Sequence, residues 1–323
     1  MVPVSPIFGA LDASLARLAA AGGPLGWVVL AAAAAVVATA AIPAWRPTAL
    51  RRSLAVLALA LTAGEGLLAW FHRRLWEIAV VTDPVSGSVT GHVAVPLWVE
   101  SEKLYVWALI LAVMALLARR HRDDIVTIVA PVVAVLAVGA VVWGRPFTDP
   151  LPQFLAQYRG YLAAAGLGDL AVASATFQGM EGARRFYYGT WYMWVHPPLL
   201  FLSYGAFVMS FAATARMIAE RRSTYETTAY DWMKLGYLPL TAGMLLGFPW
   251  AVLAWPGESW WWSGKVNMSI MLWLLYTACL HARLYLRRRG MWRVVAALAV
   301  LSFVVLVLTY LTTYVVPGAH SIA

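Results

Sequence analysis

The stretch Trp191-Tyr192-Met193-Trp194-Val195-His196-Pro197-Pro198-Leu199-Leu200-Phe201-Leu202-Ser203-Tyr204-Gly205-Ala206-Phe207-Val208-Met209-Ser210-Phe211 decides the fold. No charge interrupts it, an aromatic cluster opens it, and the apolar run continues to residue 215. A run of about 18 or more apolar residues can cross a bilayer as a helix, and tryptophan and tyrosine gather where such helices leave the lipid. Seven further runs lie at 25–45, 53–71, 104–118, 125–143, 237–254, 267–282 and 294–316, with 104–118 and 267–282 the short ones. Period-two alternation is absent, which argues against a barrel, whereas helices satisfy their own backbone groups in lipid. The sequence therefore predicts an all-α polytopic membrane protein with about eight transmembrane helices.

Composition agrees. The 323 residues are 62% hydrophobic and 12% charged, too little charge for a water-exposed surface. Fifteen of the 24 Lys and Arg fall in one set of loops: Arg46, Arg51, Arg52, Arg119, Arg120, Arg122, Arg216, Arg221, Arg222, Lys234, Arg283, Arg287, Arg288, Arg289 and Arg293. Only Asp123, Asp124, Glu220, Glu226 and Asp231 oppose them, so this side is expected to be cytoplasmic. Both termini and the loops 72–103, 144–194 and 255–266 then face outward, and the expected location is the cell (inner) membrane. The net charge of +9 is this asymmetry and not a nucleic-acid surface; the partner it implies is the lipid bilayer. Cys279 is the only cysteine, so the chain has no thiol redox pair and no C-x-x-C-H site for covalent haem. Met1–Gly23 lacks a basic leader and is not read as a signal peptide; Leu11–Ala21 is expected to form a short amphipathic helix on the outer surface.

With no internal repeat or low-complexity linker, residues 1–323 read as one membrane domain. The outer loop 144–194 is expected to carry a helix over Gln153–Ala165, ended by Gly166 and Gly168, and to act as a lid or docking surface. The outer loop 255–266 holds the tryptophans.

The histidines differ in setting. His121 sits in a basic loop, and His72 and His92 read as interfacial. His281 is read as lying well inside the run 267–282, where an ionisable group raises a functional hypothesis; a hydrogen bond to a neighbouring helix is the plainer reading. Glu65, inside 53–71, needs a partner for the same reason. His196 and His320 lie at outer ends of different runs, where two imidazoles can meet across one iron atom. Trp191, Trp194, Trp255, Trp260, Trp261 and Trp262 can wall a flat apolar ring, against the alternative of an ordinary interfacial belt. The ring so held is haem, and neutral imidazole suits its iron. Arg73 and Arg74 either anchor with Glu77 at the interface or meet an anionic group such as a haem propionate.

At these residues the chain resembles the cytochrome c assembly family, the haem-handling membrane proteins of c-type cytochrome maturation. His196-Pro197-Pro198-Leu199-Leu200-Phe201-Leu202-Ser203-Tyr204-Gly205-Ala206-Phe207 resembles a family motif reading H-P-P-L-L-Y-x-G-Y-x-G-F. Asn267-Met268-Ser269 through Leu280-His281 resembles the helix after the tryptophan motif, Pro317-Gly318-Ala319-His320-Ser321 its external G-x-H-S ending, and Gly91-His92 with Glu100-Ser101 a G-H-…-E-S segment. The resemblance covers residues 90–323. It implies haem b held outside between His196 and His320, a second haem at His281, and partnership with apocytochrome c and other cytochrome c maturation proteins, as a component of a haem lyase. One departure stands out: the family's W-x-W-D-P-x-E ends in acids, but here Ser263 and Val266 take their places. A second reading stays open, a haem b-containing electron-transfer subunit bound to other subunits of a redox complex. A haem-free transporter is weaker, because no broken-helix pair is evident.

Overall fold

The computed structural model describes residues 4–42, 47–118, 123–221, 223–255, 257, 260–285 and 291–316. His320 and His121 lie outside the described residues. The described residues form ten α-helices: α1 (Val4–Ala41), α2 (Pro47–Ile78), α3 (Lys103–Leu117), α4 (Asp123–Gly139), α5 (Pro152–Gly166), α6 (Leu170–Gly182), α7 (Trp191–Glu220), α8 (Glu226–Ala254), α9 (Gly264–Arg283) and α10 (Met291–Val315). Among the described residues six helices are long and apolar enough to cross a membrane, within α1, α2, α4, α7, α8 and α10. The other two expected crossings are the short ones, in α3 with 15 residues and α9 with 20. The protein is an all-α polytopic membrane protein whose chain divides into two compact units, 1–112 with 131–195 and 113–130 with 196–323.

The first unit is built on the pair α1 and α2. Buried Leu50, Leu54, Leu57, Leu61, Leu68, Phe71 and Leu75 recur along α2 at steps of three, four or seven, and buried Leu11, Leu18, Val29, Ala33 and Val36 fall along α1 at steps of three, four, seven and eleven, all close to whole helical turns. Such a stripe is the seam of two helices packed nearly parallel to one axis. Thr39 and Ser53 join hydroxyls at 2.8 Å beside the turn. At 38 residues α1 is roughly 57 Å long, well beyond the bilayer's apolar thickness of about 30 Å. The expected separate surface helix at 11–21 is therefore the first part of α1. Its Leu11, Ser14 and Leu18 are buried, and Asp12 pairs with Arg159 of α5 at 2.7 Å, so protein rather than lipid covers that face.

The loop 72–103 is more ordered than its sequence suggests. After α2, β1 (Val80–Thr82) and β2 (Val89–His92) form an antiparallel hairpin. The expected helix over Gln153–Ala165 is α5, and its Tyr158 and Tyr161 hydroxyls take the Val80 and Thr82 amides at 3.0 and 2.8 Å. The carboxylate of Glu100 accepts from the amides of Gln153 and Phe154 at 2.8 and 3.1 Å, supplying the charge that the start of α5 lacks. A second helix, α6, was not expected; Asp169 caps it by accepting from Ala171 and Val172. In the second unit, α9 and α10 pack as neighbours, Phe207 stacks on Tyr276 at 3.6 Å, and Phe211 stacks on Phe303 at 4.0 Å.

Candidate functional site

The start of α7 is shaped by two prolines. A proline has no amide hydrogen, so Pro197 leaves the carbonyl of Met193, four residues earlier, without its helical donor. The indole of Trp98 takes that place, donating to the Met193 oxygen at 2.6 Å. Trp98 also meets Trp194 edge to face at 5.7 Å, and Trp191 stacks on Tyr192 at 4.0 Å. Trp191 and Trp194 remain substantially exposed in the first turns of α7, and the next turn carries His196.

His196 rests on α8. Its Nδ1 donates to the carbonyl of Gly243 at 2.6 Å. This fixes the tautomer: Nδ1 holds the proton and Nε2 keeps its lone pair. Gly247 lies one turn further along α8, directly against the ring. The ring of Trp250, buried in α8, lies 5.9 Å from the imidazole at a tilt of 31°, and Trp250 meets Trp255 edge to face at 4.9 Å. Phe248 stacks on Trp261 at 5.1 Å, and Trp261 stacks on Trp260 at 4.0 Å. Trp260 is buried, while Trp261 and Trp262 are exposed at 50% and 81% and so are free to face a ligand or lipid. Phe248 and Trp250 are new to the site. Both lie inside an apolar run, where an aromatic residue reads as lipid-facing filler, and only the spacing Phe248-x-Trp250 beside Trp255 could have marked them.

Ser263 ends the tryptophan turn and starts α9, accepting the amide of Val266 at 3.4 Å. Ser263 stands where the family's D-P-x-E has its aspartate, and Val266 stands where it has its glutamate. Ser263 caps the helix, and Val266 brings no carboxylate to it.

The other expected site residues fall as follows. His281 lies in the last turn of α9 rather than deep within it, is exposed, and has Nδ1 2.8 Å from the carbonyl of Thr277 in its own helix. Arg73 and Arg74 both pair with Glu77, Arg73 at 3.6 Å. His92 lies against Trp76, with ring centroids 4.8 Å apart at a tilt of 31°. His72 departs most from expectation. It is buried, with Nδ1 2.7 Å from the Val95 carbonyl and Nε2 2.9 and 3.0 Å from the two Glu102 oxygens. Glu102 is fully buried, and burial pushes its carboxyl up to about 7 against the pull of His72. Glu65 is coupled electrostatically to both, and its Oε2 is buried without a hydrogen bond. In the segment 144–194, Glu181 is held down at about 2 by Arg184, which it meets at 2.7 Å, and it also accepts from Thr90 at 3.0 Å.

Among the described residues no three His, Cys, Asp or Glu gather as a metal cage. The donor that fits a planar metal ring is a single imidazole with Nε2 available beside an indole, and His196, with Trp250 5.9 Å away, meets that description.

The family described as "Cytochrome C assembly protein" matches residues 97–320. The cytochrome c-type biogenesis protein CcmF of Escherichia coli is 27% identical over 235 residues, 68% of this chain and 33% of that protein. The cytochrome c-type biogenesis protein CycK of Bradyrhizobium diazoefficiens is 31% identical over 136 residues, 40% of this chain and 20% of that protein. A solved structure titled "Cytochrome c Heme Lyase CcmF" shares the fold with a TM-score of 0.61 and 21% identity, covering 90% of this chain and 46% of that one. The chain thus spans a third or less of the length of these two curated relatives. With residues 97–320, most of its length, matched by the family, the chain belongs to the cytochrome c assembly protein family.

Proposed function

We propose that this protein acts in c-type cytochrome biogenesis and binds haem b at the outer membrane face, where His196, through Nε2, and His320 would hold it. The observation that carries the reading is the half-satisfied imidazole of His196, with Nδ1 committed to Gly243 and the ring beside the indole of Trp250. Trp255, Trp260 and Trp261 would supply flat apolar faces for the macrocycle, with Trp262 exposed beside them, and Trp191 and Trp194 are exposed aromatic surface for an incoming chain. When bound, haem supplies vinyl groups across which cysteine thiols of an apocytochrome C-x-x-C-H segment add, each thiol forming one C–S bond and giving up its proton to the adjacent carbon. The residues of this chain orient the ring and exclude water.

His281 would hold a second haem together with a ligand from another chain. Its exposure and its Nδ1 contact to Thr277 support that assignment. The loop 144–194 is the docking surface for apocytochrome c or for another maturation protein.

Reduced-minus-oxidised spectra of the purified protein and of His196→Ala, His281→Ala and His320→Ala test haem binding. A b-type signal is expected in the wild type, diminished in each variant. A C-x-x-C-H peptide of an apocytochrome should then remove haem from the wild type. Unchanged signals in all three variants would overturn the reading, and haem that the peptide never removes would assign the protein to permanent electron transfer instead.

A further inference from the structure

The imidazole of His196 is held by more than its own helix. Three glycines of α8, Gly236, Gly243 and Gly247, meet α7 at Phe207, Leu200 and His196 in turn. None of the three has the positive backbone angle that requires glycine; among the described glycines only Gly87, Gly91, Gly168 and Gly257 do. Glycine in mid-helix weakens a helix, so space is the remaining reason for it. At Gly247 that space is taken by a ring. A Cβ there would stand 2.8 Å from Cε1 and 3.1 Å from Nδ1 of His196. The imidazole is a rigid plane hydrogen-bonded to a rigid helix, and neither is the free end of a flexible chain that could swing aside.

We propose that Gly247 and the Gly243 carbonyl are the positioning residues of His196, seating its ring against α8 so that the proton stays on Nδ1 and Nε2 is presented to haem iron. The inference rests on the reading of His196 as a haem ligand and adds what aims that ligand. A metal-bound histidine usually donates its other nitrogen to a carboxylate, carbonyl or water, which fixes the ring and raises its basicity. Here the donor meets the Gly243 carbonyl at 2.6 Å. That carbonyl also accepts from its own helix, which its two lone pairs allow. Gly236 provides the contrast, because a Cβ there would strike Phe207, an apolar ring with no ligand role.

The test has one arm without haem and one with it. In haem-free protein labelled with ¹⁵N-histidine, His196, assigned by difference from His196→Ala, should show Nδ1 protonated and Nε2 bare. A ring protonated on Nε2, or an even mixture of tautomers, overturns the proposal even if Gly247→Ala does not fold. In the loaded protein, Gly247→Ala should bind haem about 10- to 100-fold more weakly, with a changed reduction potential. Gly236→Ala should lower thermal stability while keeping the wild-type haem affinity and potential. Wild-type affinity and potential in Gly247→Ala would overturn the proposal. Retention of haem by His196→Ala alongside a confirmed Nδ1 proton would instead overturn the haem reading and leave the seating of the ring intact.

Discussion

His72 and His196 sit near the ends of two membrane helices, and they differ in how much of each ring the protein consumes. His72, in the last turns of α2, gives one nitrogen to the Val95 carbonyl and the other to Glu102. His196, in the second turn of α7, gives one nitrogen to Gly243. The first histidine ties α2 to the segment before α3, 30 residues away in sequence, and has nothing left to offer a ligand. The second is seated but unfinished. The comparison teaches that burial and an apolar setting do not by themselves mark a functional histidine; the count of committed ring nitrogens separates a structural imidazole from one able to bind a metal.

The comparison can be broken most severely at His72. Replacing it with alanine strands the buried Glu102 carboxyl, and removing one partner of a buried pair costs about 3–5 kcal/mol. Unfolding of His72→Ala in detergent should show a loss of that size, with haem content in the folded fraction unchanged. A loss below about 1 kcal/mol would mean that water or another group satisfies Glu102.

A pH series sharpens the same point. Glu102 ionises at about 7 in the folded protein against an ordinary value of 4.5, because burial favours its neutral form. The folded state therefore holds a proton that the unfolded chain releases. The stability this contributes is complete below 4.5 and lost as pH rises through about 7. Thermal midpoints should fall over that window, and Glu102→Gln should flatten the fall. A Glu102→Gln profile as steep as the wild type would assign the dependence elsewhere.

Smaller effects belong to the second unit and the surface. Ser263→Ala removes the cap of α9 and should cost about 0.5–2 kcal/mol, whereas Ser263→Asp should be close to neutral, since both side chains accept the same amide. A neutral alanine variant would mean that the cap contributes nothing at that helix start. Least is expected at Arg73 and Arg74, whose pairs with Glu77 are exposed; replacing either with alanine should change stability by about 1 kcal/mol or less. Haem loss in either variant would show that the pair meets a propionate after all.

Much of this architecture was legible in the sequence because membrane helices announce themselves locally. The run 195–215 and its neighbours needed only length and the absence of charge, and Gly166 marked the end of α5. The β1–β2 hairpin and α6 were not legible, because they are held by contacts from elsewhere in the chain, such as the Tyr158 and Tyr161 hydroxyls and the Glu181 carboxylate. His72 was misread for the same reason: its partner lies on a different element, and no periodicity encodes a pair 30 residues apart. At the candidate site, His196 and the tryptophans stood out by residue type. Gly243, Gly247 and Trp250 did not, because in an apolar helix a glycine or a tryptophan becomes informative only once the facing side chain is known.

The most direct test is haem per chain, measured as the pyridine haemochrome in purified wild type, His72→Gln and His196→Ala prepared side by side. Full loading in His72→Gln with little or none in His196→Ala is the expected result. Haem kept by His196→Ala, or lost from folded His72→Gln, would contradict the assignment of the open imidazole as the ligand.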